Sequence, residues 1–259
     1  MTPAQWKAIC DDVTHRMLEY TRPYVTPLSS RTSAGFRKLE GSGSYVTYED
    51  ERLLLTCEHV ERGNQLDQKF FDLAKDYAVA NPFFARPHPV DVAWSCVPDD
   101  MWFGIDHEAH EIPFSRFAVK HTLFDKYEPL FFRGYAGENA FDDMVDFKAY
   151  ASGYCSQEKD GAAASTQIFE MLWDPEKSSI TSETSEEMRE IMKFTDPRGF
   201  SGSLVWNTRY REVSQSGKEW DPSQAVVTGI ARRYDPDTKT ILVYRVEHIR
   251  AVLAAKPWV

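Results

Sequence analysis

Three short segments of the chain carry side chains that could do chemistry together. The first is Leu54-Leu55-Thr56-Cys57-Glu58-His59-Val60, an apolar run that ends in a histidine. The second is Val90-Asp91-Val92-Ala93-Trp94, an aspartate at the head of an apolar run. The third is Arg198-Gly199-Phe200-Ser201-Gly202-Ser203-Leu204-Val205, a serine between glycines just ahead of a strand-like run. A serine hydroxyl is a weak nucleophile until a base takes its proton, and imidazole titrates in the right range to be that base. A buried aspartate fixes the imidazole tautomer and stabilises the imidazolium that forms. Gly199 gives the backbone freedom to turn, so that its own N–H and that of Ser201 can aim at one developing oxyanion. Taken singly, each piece has an ordinary reading: a satisfied histidine after a strand, an aspartate in a turn, glycines in a loop.

Positioning these groups falls to the elements around them. Residues 3–20 read as a helix, with Trp6, Ile9, Val13, Met17 and Leu18 near a 3.6-residue spacing, Thr2 as N-cap and Pro3 at the first position. Pro23 and Pro27 are expected to end it. Beyond it come short strand-like runs: 45–48, 53–56, 90–97, 129–133, 147–154, 168–173, 203–206, 225–232 and 240–246. Residues 61–88 are polar and irregular, 176–190 read as a loop or short exposed helix, and 246–255 as a C-terminal helix. Many short strands without alternating long helices predict an all-β antiparallel sandwich or barrel.

Composition excludes several classes. The chain has 259 residues, 42% hydrophobic and 27% charged, enough for a folded core. Its net charge of −10 makes nucleic acid an unsuitable partner, because few cations would replace released counterions. No apolar run is long enough to span a membrane, and no signal peptide is read at the start. Four irregularly spaced cysteines, Cys10, Cys57, Cys96 and Cys155, predict reduced thiols in a cytoplasmic protein, with neither a zinc site nor a disulfide framework. No metal or other cofactor is expected.

The three segments, in the order His59, Asp91, Ser201, resemble the triad of the trypsin-like serine peptidases of the chymotrypsin fold. The style is that of the bacterial HtrA-like and glutamyl-endopeptidase branches. Gly41-Ser42-Gly43-Ser44-Tyr45-Val46 resembles the opening of that family's first barrel, and residues 54–60 its histidine motif. Asp91-Val92-Ala93 resembles the aspartate motif, and Gly199 to Ser203 the serine motif. Arg133-Gly134-Tyr135-Ala136-Gly137 resembles a turn of the second barrel, with Ala136 where proline is usual. Val226-Val227-Thr228-Gly229-Ile230 resembles the strand bordering the specificity pocket.

The resemblance implies two packed antiparallel six-stranded barrels. A helical extension would occupy 1–34 and the peptidase domain 35–255, with the first barrel at about 35–115, the second at about 120–246 and the helix at 246–255. It implies a serine endopeptidase acting on protein substrates through an acyl-enzyme, with catalytic His59, Asp91 and Ser201 and an oxyanion hole from Gly199 and Ser201. Limited proteolysis in the cytosol under a regulatory protein partner would fit, as would a bacterial stress or antiphage-defence role.

Phe200 departs from the family pattern. Secreted relatives have an aspartate there that pairs with a newly cut N-terminus, so activation of that kind is not expected. For specificity, Thr195 and Asp196 would lie at the base or wall of the substrate pocket, near Arg198. Ala231, Arg232 and Arg233 would form the other wall. Asp196 favours a basic side chain in that pocket, and an inward arginine an acidic one. Strand alternation allows only one of Arg232 and Arg233 to point inward.

Other readings compete. A catalytically silent pseudo-protease would keep the fold as a protein-binding module. An α/β-hydrolase would use Ser201 with His248, but position 203 is serine where its elbow needs glycine. His107-Glu108-Ala109-His110 lacks the spacing of a zinc helix. Phe70-Phe71 and Phe83-Phe84 read as buried loop anchors rather than a docking patch.

Overall fold

The computed structural model describes residues 1–63, 65–142, 147–161, 167–176, 180–181 and 184–255. Parts of the 176–190 stretch therefore lie outside the described residues. The chain opens on helix α1 (Pro3–Thr21), where Thr2 and Gln5 form a reciprocal capping box and Pro3 opens the first turn. Val13 and Met17 are fully buried on its inner face.

Two sheets follow. The first contains β1 (Val25–Arg31), β2 (Arg37–Tyr48), β3 (Glu51–Thr56), β4 (Asp67–Gln68), β5 (Tyr77–Ala78), β6 (Phe84–Arg86), β7 (Val92–Cys96) and β8 (Ile112–Pro113). Its order is β5-β4-β1-β2-β3-β7-β6, antiparallel throughout, with β8 added parallel to β2. The second contains β9 (Leu130–Asp142), β10 (Phe147–Ser156), β11 (Ile168–Leu172), β12 (Leu204–Asn207), β13 (Val226–Asp235) and β14 (Thr240–Arg245), ordered β10-β9-β12-β13-β14-β11. Past the end of β10, Lys159 N–H donates to Glu170 at 2.8 Å and Leu172 N–H to Gln157 at 3.0 Å, which closes this sheet on itself. Short helices α2 (Glu58–Glu61), α3 (Asp99–Gly104), α4 (Glu186–Ile191) and α5 (Tyr210–Gln215) sit in connections, and α6 (Val246–Ala254) packs Ile249 and Leu253 inward.

This is the expected mostly-β, two-barrel architecture, with three differences. The first sheet has eight strands rather than six. It also begins at Val25, within the stretch expected as a helical extension. Pro27 is tolerated in β1 because β4 pairs only from Leu28 onward, so no neighbour on that side asks for the missing N–H. Of the paired aromatics, Phe70 is fully buried, but Phe84 is 44% exposed and stacks on Trp94.

Register brings the candidate site together. Thr56 pairs with Ala93 between β3 and β7, so the residues after β3 run beside those before β7. His59, on α2, and Asp91 are thereby neighbours despite 32 residues between them in sequence.

Candidate active site

Asp91 adopts a left-handed backbone, φ 55°, which an aspartate tolerates better than most residues. Its carboxylate points under α2. His59 Nδ1 lies 2.9 Å from both carboxylate oxygens, and the His59 backbone N–H donates to Oδ1 at 3.1 Å. A carboxylate against Nδ1 puts the ring proton there and leaves Nε2 as the acceptor. The Asp91 side chain is 5% exposed and that of His59 34%. Burial alone would raise the Asp91 carboxyl, but hydrogen bonds and charge from His59, with the Arg232 guanidinium, hold it below the usual carboxylate range.

Ser201 enters on a turn ahead of β12, built on two positive-φ glycines, Gly199 at 107° and Gly202 at 93°. A Cβ on Gly202 would lie 2.0 Å from the Ser42 carbonyl oxygen, and one on Gly199 2.6 Å from that of Tyr135. No other residue fits either place. The turn is clamped from the first sheet: Ser42 N–H donates to the Ser201 carbonyl at 2.8 Å. The Ser42 hydroxyl donates to the Gly199 carbonyl and accepts from Tyr135 N–H, each at 2.9 Å. This close approach accounts for the glycine at 41, where a Cβ would meet the Ser201 carbonyl at 2.9 Å.

Two N–H groups on this turn have no partner among the described residues. The Arg198 carbonyl accepts from Gly137 N–H at 2.7 Å, so the far side of that planar peptide aims Gly199 N–H the opposite way. The Phe200 carbonyl accepts from Ser203 N–H at 2.9 Å, which does the same for Ser201 N–H. Phe200 itself is 2% exposed, against Phe132 at 5.0 Å and Trp173 at 5.6 Å between ring centroids. Aromatic packing anchors the turn at this position.

The Ser201 hydroxyl donates to the Arg232 carbonyl at 2.8 Å. No hydrogen bond joins it to His59. Arg232 is the residue skipped in the β13–β14 register, where Ala231 pairs with Val243 and Arg233 with Leu242. This bulge turns its side chain onto Asp91, with Nε 3.0 Å from Oδ2.

The remaining expected pocket residues are dispersed. The Arg232 side chain is engaged by Asp91 rather than lining a pocket wall, and Arg233 is exposed. Ala231 is 1% exposed within the core of the second sheet. Asp196 and Arg198 form an exposed ion pair, and Arg198 pulls the Asp196 carboxyl below its usual range. A neutralised Asp196 undercuts the preference for a basic substrate side chain. Thr195 is exposed and bonds through N–H and hydroxyl to Glu138, both at 2.7 Å. Glu138 and the Asp91 contact of Arg232 carry no motif; only proximity in the fold reveals them. Cys57 Sγ, His59 and Asp91 have donor atoms within 4.8 Å of one another, but each is already engaged by a protein partner. Burial, then the Asp91 charge, pushes the Cys57 thiol well up.

The backbone was compared with solved structures. It is similar to an HtrA-type protease, AlgW with tripeptide, at TM-score 0.51 and 13% identity over 93% of this chain and 62% of that one. It is similar to the MamO protease domain from Magnetospirillum magneticum, at TM-score 0.50 and 9% identity over 92% and 98%. The chain has the chymotrypsin fold. Human heparin binding protein shares that fold too, at TM-score 0.52 and 7% identity over 91% of this chain and 93% of that one. No protein-family model and no curated protein sequence matches this chain. At such identities the chymotrypsin fold is what these likenesses establish.

Proposed function

We propose that the chain is a serine endopeptidase that cleaves protein substrates through an acyl-enzyme. The observation that carries this reading is the His59–Asp91 pair, joined through Arg232 to the Ser201 turn, on which two N–H groups are unengaged. Ser201 would leave the Arg232 carbonyl and turn toward His59 Nε2, exchanging one neutral hydrogen bond of about 1 kcal/mol for another. His59 takes the hydroxyl proton as Oγ attacks the scissile carbonyl. Asp91 stabilises the imidazolium, and Gly199 and Ser201 N–H groups receive the oxyanion. The proton then passes to the leaving amine, and water activated by the same imidazole releases the acyl group.

Four cysteines that form no disulfide suit a reducing compartment, and a cytoplasmic protease would act on few substrates under a regulatory partner. A second reading, a silent binding module, is favoured by the Ser201 hydroxyl resting on Arg232 rather than His59. That one fold neighbour is named for binding heparin shows the fold also serves binding.

Intact mass after treatment with a fluorophosphonate decides between them. The expected result is one adduct on wild type and none on Ser201→Ala or His59→Ala. A wild type that takes no adduct overturns the peptidase reading in favour of the binding module.

A further inference from the structure

Arg232 touches both ends of the candidate triad. Its backbone carbonyl accepts the Ser201 hydroxyl at 2.8 Å, and its guanidinium Nε donates to Asp91 Oδ2 at 3.0 Å. The ion pair joins the second sheet to the first, with the arginine side chain 11% exposed and the aspartate 5%. Screening by salt is weak for a pair this deep. Asp91 is therefore one carboxylate with two cationic claimants whenever His59 is protonated.

Of the other titratable groups nearby, Arg62 acts on Asp91 through space, and none is hydrogen-bonded to it among the described residues. Glu58, opening α2, and Arg62, just past its end, pair with each other at 3.1 Å. Glu61, at the end of α2, has its carboxyl raised by burial and then by Glu58. Cys57 donates its thiol to the Ala231 carbonyl at 3.3 Å. Tyr244 on β14 is raised by burial, which keeps its phenol neutral, with Arg232 opposing. Among the described residues, Arg232 is the one side chain besides His59 hydrogen-bonded to the Asp91 carboxylate.

We propose that Arg232 is a positioning residue of this site: it divides the Asp91 carboxylate with His59 and so sets the pH range in which His59 serves as base. The inference rests on the catalytic reading above for its consequence, and on the geometry for its cause. With the guanidinium present, its positive charge offsets part of the Asp91 charge that draws a proton to His59. With the guanidinium gone, the whole carboxylate charge favours the imidazolium. The base then becomes available only at higher pH.

The test is the pH dependence of fluorophosphonate labelling in wild type, Arg232→Gln and Arg232→Lys. The midpoint of the acidic limb is expected to rise by about one pH unit in Arg232→Gln, the lower end of what one close opposite charge contributes. Arg232→Lys keeps the charge, so its midpoint stays with wild type although its rate falls with the lost geometry. A merely structural arginine would slow both variants without moving either midpoint, and that result overturns the proposal. Two NMR readouts need no turnover. The His59 ring resonances should titrate about one unit higher in Arg232→Gln. In wild type, the Arg232 Nε–H resonance should move in step with the His59 titration; an invariant Nε–H overturns the proposal even if no neutral variant folds. If wild type takes no probe while the NMR midpoint moves, the catalytic reading falls and the division of Asp91 stands.

Discussion

The Ser42 hydroxyl reaches out of the first sheet to hold the Gly199 carbonyl at 2.9 Å. That bond fixes one face of the turn that carries Ser201 and both unengaged N–H groups. The same hydroxyl accepts from Tyr135 N–H, so one side chain ties β2, β9 and the serine turn.

Ser42→Ala therefore loses both bonds and leaves a partly buried carbonyl and a partly buried N–H unsatisfied. Labelling of Ser201 by fluorophosphonate is expected to slow about tenfold, and unfolding by urea to show a loss of about 2 kcal/mol. Labelling at the wild-type rate would remove Ser42 from the support of the turn.

Gly202→Ala places a Cβ 2.0 Å from the Ser42 carbonyl oxygen and 2.4 Å from Thr56 Oγ1, at φ 93°. Backbone must move, so the variant is expected to lose roughly 3 kcal/mol or more and all labelling. Gly35→Ala, with φ 88° but nothing within 4 Å, serves as the comparison: it should cost about 1 kcal/mol and leave labelling intact.

Phe200→Asp puts a carboxylate into the aromatic cluster under the serine turn. Against Phe132 and Trp173 a carboxylate has no cation to pair with, and a loss of about 4 kcal/mol is expected by denaturant titration. Phe200→Leu should lose about half as much.

Asp91 is held below its usual value of 3.8, net of a burial effect of opposite sign. The folded state thus holds the ionised form more tightly than the unfolded chain does. The stabilisation is fully present above the unfolded value and is lost as pH falls through the lowered folded one. Wild type should accordingly exceed Asp91→Asn in stability near pH 6, and the gap should shrink below about pH 4. Urea midpoints measured across that range check it; a gap that stays constant would contradict it.

The helix at the start was legible because its cap is local: Thr2, Pro3 and Gln5 specify it within four residues. His59, Asp91 and Ser201 were legible by residue type and order, and strand register then brings the first two within hydrogen-bond distance. β1 was hidden because Pro27 reads as a breaker, and only the late start of β4 makes it harmless. The role of Arg232 was hidden for a different reason. Simple alternation assigns it a face, but a bulge between β13 and β14 re-aims it, and a bulge belongs to the pairing rather than to either strand. Thr195 turned to Glu138, a charge whose position no local pattern encodes, whereas Asp196 pairs with Arg198 only two residues on.

The two halves of the site arrive at different times during synthesis. His59 and Asp91 lie beside strands of the first sheet, whereas Ser201 and Arg232 come with the second, 110 and 141 residues downstream of Asp91. A nascent chain short of residue 201 has His59 without Ser201, and its Asp91 has no Arg232 to pair with. Neither ribosome nor neighbouring chains meet an assembled site until the last strands have been made and the second barrel has closed against the first.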